Sequence, residues 1–95
     1  MDVKIAVIGC GIWGKNLVRN FYNLGSLHSG CDIDHESLEK ISKDFPEVSF
    51  TDNIDNILNS KEIDGVAIAT PSHTHYNLVK KFLNAGKHVY IEKPI

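Results

Sequence analysis

Gly9-Cys10-Gly11-Ile12-Trp13-Gly14 spaces three glycines as G-x-G-x-x-G. The spacing suits a dinucleotide. Gly9 permits a tight turn, Gly11 lets the backbone approach a pyrophosphate, and Gly14 lets a helix pack closely on a strand. A helix opening there offers free N–H groups and a positive dipole end to the anion. Trp13 has two open readings: it starts the apolar face of that helix, or it covers the cofactor from one side. Its backbone lies near phosphate in both.

Asp32 follows 18 residues after Gly14. A carboxylate at that place accepts hydrogen bonds from the adenosine ribose hydroxyls and repels a 2′-phosphate. No arginine follows in the next loop, and Lys40 and Lys43 belong to the next predicted helix. These residues favour NAD over NADP. Asp34 is the rival carboxylate, but it is better explained as a helix cap.

Two further segments could face the same ligand. Thr70-Pro71-Ser72-His73-Thr74-His75 follows a buried run, and Glu92-Lys93-Pro94 follows the last one. His73 and His75 have poor spacing for a metal on a helix face, and no thiolate or carboxylate cluster adjoins them, so no metal is expected. A cation such as Lys93 beside a nicotinamide would orient substrate or assist proton transfer. Without further context, Lys93 reads as a surface charge.

The elements that must position these residues alternate. Val3 to Ile8 is a β-branched run that predicts a strand buried on both faces. Trp13, Leu17, Phe21 and Leu24 predict a helical stripe that Gly25 stops. Leu27 to Asp32 is a weak strand, because His28, Ser29 and Gly30 suit neither burial nor strand propensity. A helix over 35–44 places Leu38, Ile41 and Phe45 inward and ends at Pro46. Val48 to Thr51 predicts a short strand. Asp52 or Asn53 caps a short helix carrying Ile54, Ile57 and Leu58. Gly65 to Ala69 predicts a buried strand. A helix over 74–84 turns Leu78, Val79, Phe82 and Leu83 inward, and His88 to Ile91 is the fifth strand. Such alternation implies a parallel sheet wound on both faces, an α/β fold.

The totals agree with one small domain. The chain has 95 residues, is 42% hydrophobic and 23% charged, and carries a formal net charge of -2. That balance suits a folded core and lacks the basic footprint of a nucleic-acid binder. Cys10 and Cys31 are too few for a disulfide scaffold and read as free thiols of a reducing cytoplasm. No apolar run approaches the ~20 residues of a membrane span. Met1-Asp2-Val3-Lys4 has no signal-peptide pattern.

The glycine loop with Lys15-Asn16, Cys31-Asp32, Ala69-Thr70-Pro71 and Glu92-Lys93-Pro94 together resemble the N-terminal domain of the Gfo/Idh/MocA oxidoreductases. The resemblance runs in order along the whole chain. It implies a Rossmann-type doubly wound sheet of five strands in the order 3-2-1-4-5. Residues 1–95 would be the dinucleotide-binding domain, an N-terminal fragment lacking the family's C-terminal substrate domain. The implied cofactor site is Gly9, Gly11, Ile12, Trp13, Gly14, Asp32, Thr70, Pro71, His75, Glu92 and Lys93. Lys93 would assist catalysis, and Pro94 would shape its turn. The implied reaction moves a hydride between a sugar, nucleotide sugar or polyol and the nicotinamide. Trp13-Gly14-Lys15-Asn16 looks most like the nucleotide-sugar 3-dehydrogenases. The isolated fragment would bind NAD without catalysing. Its fifth strand would be an uncovered edge that invites self-association.

The residues also leave room for a non-catalytic NAD-binding or structural module that acts with a partner chain. A methyltransferase-like domain binding S-adenosylmethionine would share the glycine loop but would not need Glu92-Lys93-Pro94.

Overall fold

The computed structural model describes residues 3–11 and 14–91. Ile12, Trp13, Glu92, Lys93 and Pro94, expected at the cofactor site or its turn, lie outside the described residues.

Five strands form one parallel sheet: β1 (Ile5–Ile8), β2 (Leu27–Cys31), β3 (Ser49–Thr51), β4 (Gly65–Ile68) and β5 (His88–Ile91). Their spatial order is β3-β2-β1-β4-β5, as the resemblance implies. Helices α1 (Gly14–Asn23), α2 (His35–Asp44), α3 (Asp55–Leu58) and α4 (His75–Asn84) make the crossovers, and a single 3₁₀ turn at Ser72–Thr74 leads into α4.

Period-two alternation splits the core between the sheet's faces. Val7 and Ala67 face Leu17 and Val18 of α1 and Ile41 of α2. Ala6, Ile8, Val66 and Ile68 face Ile57 of α3 and Phe82 of α4. Phe82 is fully buried. Truncating it to Ala would cost about 3–5 kcal/mol, a large share of a small domain's stability.

The weak second strand is central and buried, and its odd composition has local causes. Pairing with β1 skips from Leu27 to Ser29, so His28 sits at an irregularity in the ladder. His28 turns one ring nitrogen to Ser29 Oγ at 3.0 Å and the other to Glu62 at 3.1 Å. The buried Ser29 hydroxyl therefore has a partner. A Cβ on Gly30 would lie 2.6 Å from two ring carbons of Phe50 and 3.1 Å from Cys10 Sγ. Only glycine lets β3 and the glycine loop close on this strand.

Two helix faces differ from expectation. Leu24 is 74% exposed because α1 ends at Asn23, and Val18 takes the buried position instead. Leu83, expected inward, is 56% exposed in the last turn of α4. Asp34 caps α2 as expected, accepting from the Glu36 N–H and the Ser37 hydroxyl. That bonding, led by Ser37, holds the Asp34 carboxyl below its usual range. At α3, Asn53 Oδ1 accepts from the Asp55 N–H, while Asp52 pairs with His35 at 2.7 Å.

Candidate functional site

Parallel strands deliver their carboxyl ends to one edge, and the loops leaving β1, β2 and β4 meet there. They surround a cleft of about 610 Å³ lined by Gly9, Gly11, Asp32, Thr70 and Pro71 among others. The expected residues Gly9, Gly11, Asp32, Thr70 and Pro71 thus share one cavity. Gly14 and His75 brace its walls.

The three glycines answer to different demands. Gly9 has φ +94°, and a Cβ there would stand 3.0 Å from the Ala69 carbonyl carbon and Thr70 Cγ2. A Cβ on Gly14 would lie 1.6 Å from the Gly9 carbonyl oxygen. Those two glycines are required by the fold, which brings the start of α1 against β1 and β4. Gly11 is different. Among the described residues, its Cβ would meet nothing within 4 Å. Packing among the described residues gives no reason for glycine there, and the bare backbone leaves room for close approach from the cleft.

Asp32 does more than face the cleft. Its Oδ2 accepts from the Cys10 N–H at 2.8 Å, and its Oδ1 accepts from the Asp34 N–H at 2.9 Å. The carboxylate ties the glycine loop to the turn before α2. Each oxygen keeps a second lone pair that can accept from a hydroxyl.

The β4 side is braced by a chain of hydroxyls. Thr74 Oγ1 donates to the Pro71 carbonyl at 2.7 Å. Its proton is spent, so the 2.6 Å contact with Thr70 must be a donation from Thr70 Oγ1. His75 Nε2 lies 2.8 Å from the Thr70 carbonyl, which can only accept. Nε2 therefore carries the proton, and the ring locks the turn. His73 lines the cleft and is exposed. Among the described residues, no group of three or more His, Cys, Asp or Glu side chains could hold a metal.

Several lining residues were not read as cleft residues from the sequence, where Ile54 and Leu78 counted as helix core. Ile33 is 88% exposed and borders the cleft with Ile54 and Leu78. Together they form an apolar border beside the Asp32 carboxylate.

Cys10 lies within the glycine loop and Cys31 ends β2, and both side chains are buried. Cys10 packs with the α1–α2 face and Cys31 with the α3–α4 face. Burial, with the Asp32 carboxylate second, pushes the Cys10 thiol up to about 12 and the Cys31 thiol up to about 11. Both thiols are protonated and unreactive at neutral pH.

Residues 3–95 match the family model described as "Oxidoreductase family, NAD-binding Rossmann fold", GFO_IDH_MocA. The chain belongs to the Gfo/Idh/MocA family. A relative from Bacillus subtilis, named scyllo-inositol 2-dehydrogenase (NADP(+)), is 28% identical over 98% of this chain and 26% of its own length. A relative from Escherichia coli, named 2,7-anhydro-N-acetylneuraminate hydratase, is 31% identical over 98% of this chain and 25% of its own. The solved structure of UDP-N-acetylglucosamine 3-dehydrogenase from Acidithiobacillus ferrooxidans superposes with a TM-score of 0.87 at 26% identity, covering 99% of this chain and 29% of that one. The Gfo/Idh/MocA chain thus spans about a quarter of the length of these relatives. Among its described residues, no helix is long and apolar enough to cross a membrane.

Proposed function

We propose that residues 1–95 are the dinucleotide-binding domain of an oxidoreductase that acts on a sugar, nucleotide sugar or polyol, with NAD as cofactor. The observation that supports this reading is Gly11, a cleft-lining glycine whose Cβ would meet nothing within 4 Å among the described residues. Gly9, Gly11, Ile12, Trp13 and Gly14 hold the pyrophosphate. Asp32 accepts from the adenosine ribose hydroxyls through its remaining lone pairs. Ile33, Ile54 and Leu78 contact the adenine, whose flat apolar faces suit an aliphatic border. Thr70, Pro71 and His75 shape the wall opposite.

Bound nicotinamide supplies a hydride acceptor. Glu92 and Lys93 act beside its ribose and ring. There Lys93 orients the substrate hydroxyl and assists removal of its proton. The names of the inositol and UDP-N-acetylglucosamine dehydrogenases support a carbinol substrate in a ring. The 95-residue chain by itself binds cofactor without turnover. Two protonated, buried thiols suit a cytoplasmic location. The β5 edge supports self-association.

Thermal unfolding with added ligands tests the reading. NAD at about 100-fold its Kd adds about 2.7 kcal/mol and raises the Tm by about 11–20 °C in a domain of this size. S-adenosylmethionine should leave the Tm unchanged. A shift with S-adenosylmethionine and none with NAD would overturn the assignment.

A further inference from the structure

Lys87 is a lysine with only 7% of its surface exposed, at the end of the sheet opposite the glycine loop. Its place follows from how α4 ends. Gly86 takes φ +79°, its N–H donates to the Leu83 carbonyl, and the Lys87 N–H donates to the Phe82 carbonyl. This left-handed cap turns the chain from α4 into β5. From there the Lys87 ammonium reaches the loop between α3 and β4. It donates to the Ser60 carbonyl at 2.7 Å and to the Ile63 carbonyl at 3.0 Å. An ammonium has three protons, so one is unspent. Among the described residues, no carboxylate pairs with it. A buried charge held by neutral groups alone is costly.

Lys87 lines a cleft of about 660 Å³, a size suited to a small molecule. The four residues of β4 hold this cleft about 13 Å from the one at the glycine loop. Asp64 lines it too, and its Oδ2 accepts from the Lys4 N–H at 2.9 Å. Among the described residues, Oδ1 has no partner, and Asp64 and Lys87 form no ion pair with each other. The cleft therefore holds a charge of each sign, neither matched by an opposite one. Lys61 is a further lining residue, but it is exposed and screened by water. Val3, Leu58 and Ile63 supply an apolar part.

A simple anion would satisfy Lys87 and face Asp64, and a simple cation would do the reverse. A molecule carrying both signs on neighbouring atoms satisfies both. We propose that the cleft binds an aliphatic α-amino acid. Its carboxylate accepts the third Lys87 proton, its ammonium donates to Asp64 Oδ1, and its side chain packs on Val3, Leu58 and Ile63. The two clefts share no lining residue, so this binding is independent of the dinucleotide.

A nitrogen-15 NMR titration of the 95-residue chain tests this with L-leucine, 4-methylpentanoate and 3-methylbutylamine. The second probe is leucine without its amino group, and the third is leucine without its carboxylate. Leucine should shift the amides of Ser60 to Asp64 and Gly86 to His88 saturably and leave Gly9 to Gly11 in place. Each of the other probes should bind about tenfold more weakly, the worth of one charge-assisted hydrogen bond. Asp64→Asn keeps an oxygen for the Lys4 N–H and removes the charge. It should weaken leucine about tenfold and leave 4-methylpentanoate unchanged. Lys87→Gln should weaken leucine and 4-methylpentanoate alike. Where that buried variant fails to fold, the contrast in Asp64→Asn still decides. No saturable shift with leucine, or shifts confined to the glycine loop, overturns the proposal. So does 4-methylpentanoate binding as tightly as leucine, or an equal loss for both in Asp64→Asn.

Discussion

Gly11 and Gly14 stand three residues apart in one loop and are held to glycine by different forces. At Gly14 the constraint is internal, since a methyl group would fall on the Gly9 carbonyl oxygen. Gly14→Ala should destabilise the chain by about 3 kcal/mol or more, because backbone must move to admit it. At Gly11 a methyl group would meet nothing within 4 Å among the described residues, and the constraint we propose is a ligand. Gly11→Ala should change stability by less than about 0.5 kcal/mol. It should still weaken NAD about tenfold, the equivalent of one hydrogen bond to a charged phosphate. Urea denaturation and NAD titration on the two variants check this. Equal destabilisation by both would make Gly11 structural and remove the main support for a ligand there. That Gly9, Gly11 and Asp32 share one cleft was legible in the sequence, because their types and offsets are those a dinucleotide would demand of a strand-turn-helix. Ile33, Ile54 and Leu78 were not, because an aliphatic side chain reads as core until the fold leaves it at a cleft.

At the scale of elements, β2 shows why propensity misleads. Leu27–Cys31 holds a histidine, a serine and a glycine, yet Ser29, Gly30 and Cys31 are all buried. The strand exists because neighbours on both sides fix it, not because its residues favour extension. Gly30 is the residue on which β3 and the glycine loop close. Gly30→Ala should cost about 1–3 kcal/mol by overpacking against Phe50. Phe50→Ala opens the same space, so the double variant should be more stable than the sum of the single losses implies. The coupling should exceed about 0.5 kcal/mol in a denaturation cycle. Additive losses would show that the strand yields elsewhere and that Phe50 does not hold it. Helices were easier to read along their middles than at their ends. Leu17, Ile41 and Phe82 lie inward as their spacing implies, whereas Leu24 and Leu83 sit where the helix stops or frays and periodicity no longer binds them.

Across the whole molecule, the alternation of strands and helices was enough to imply a doubly wound sheet, and its two edges are unequal. β3 is an edge of three residues, too short to template much pairing. β5 is an edge of four, and among the described residues its ladder runs to β4 alone. Val89 and Ile91 are half-buried on one face, which gives an incoming strand apolar side chains to pack against. Two copies related by a two-fold axis would pair β5 with β5 antiparallel, joining two sheets into one. The weight-average mass in sedimentation equilibrium should therefore rise toward a dimer with concentration. His88→Lys places a strongly hydrated charge on an exposed position of that edge, a common device against edge pairing. It should shift association to higher concentration while leaving the Tm of the dilute chain unchanged. A wild-type chain that stays monomeric at every concentration would show that the edge is already protected, and β5 would then carry no role in assembly.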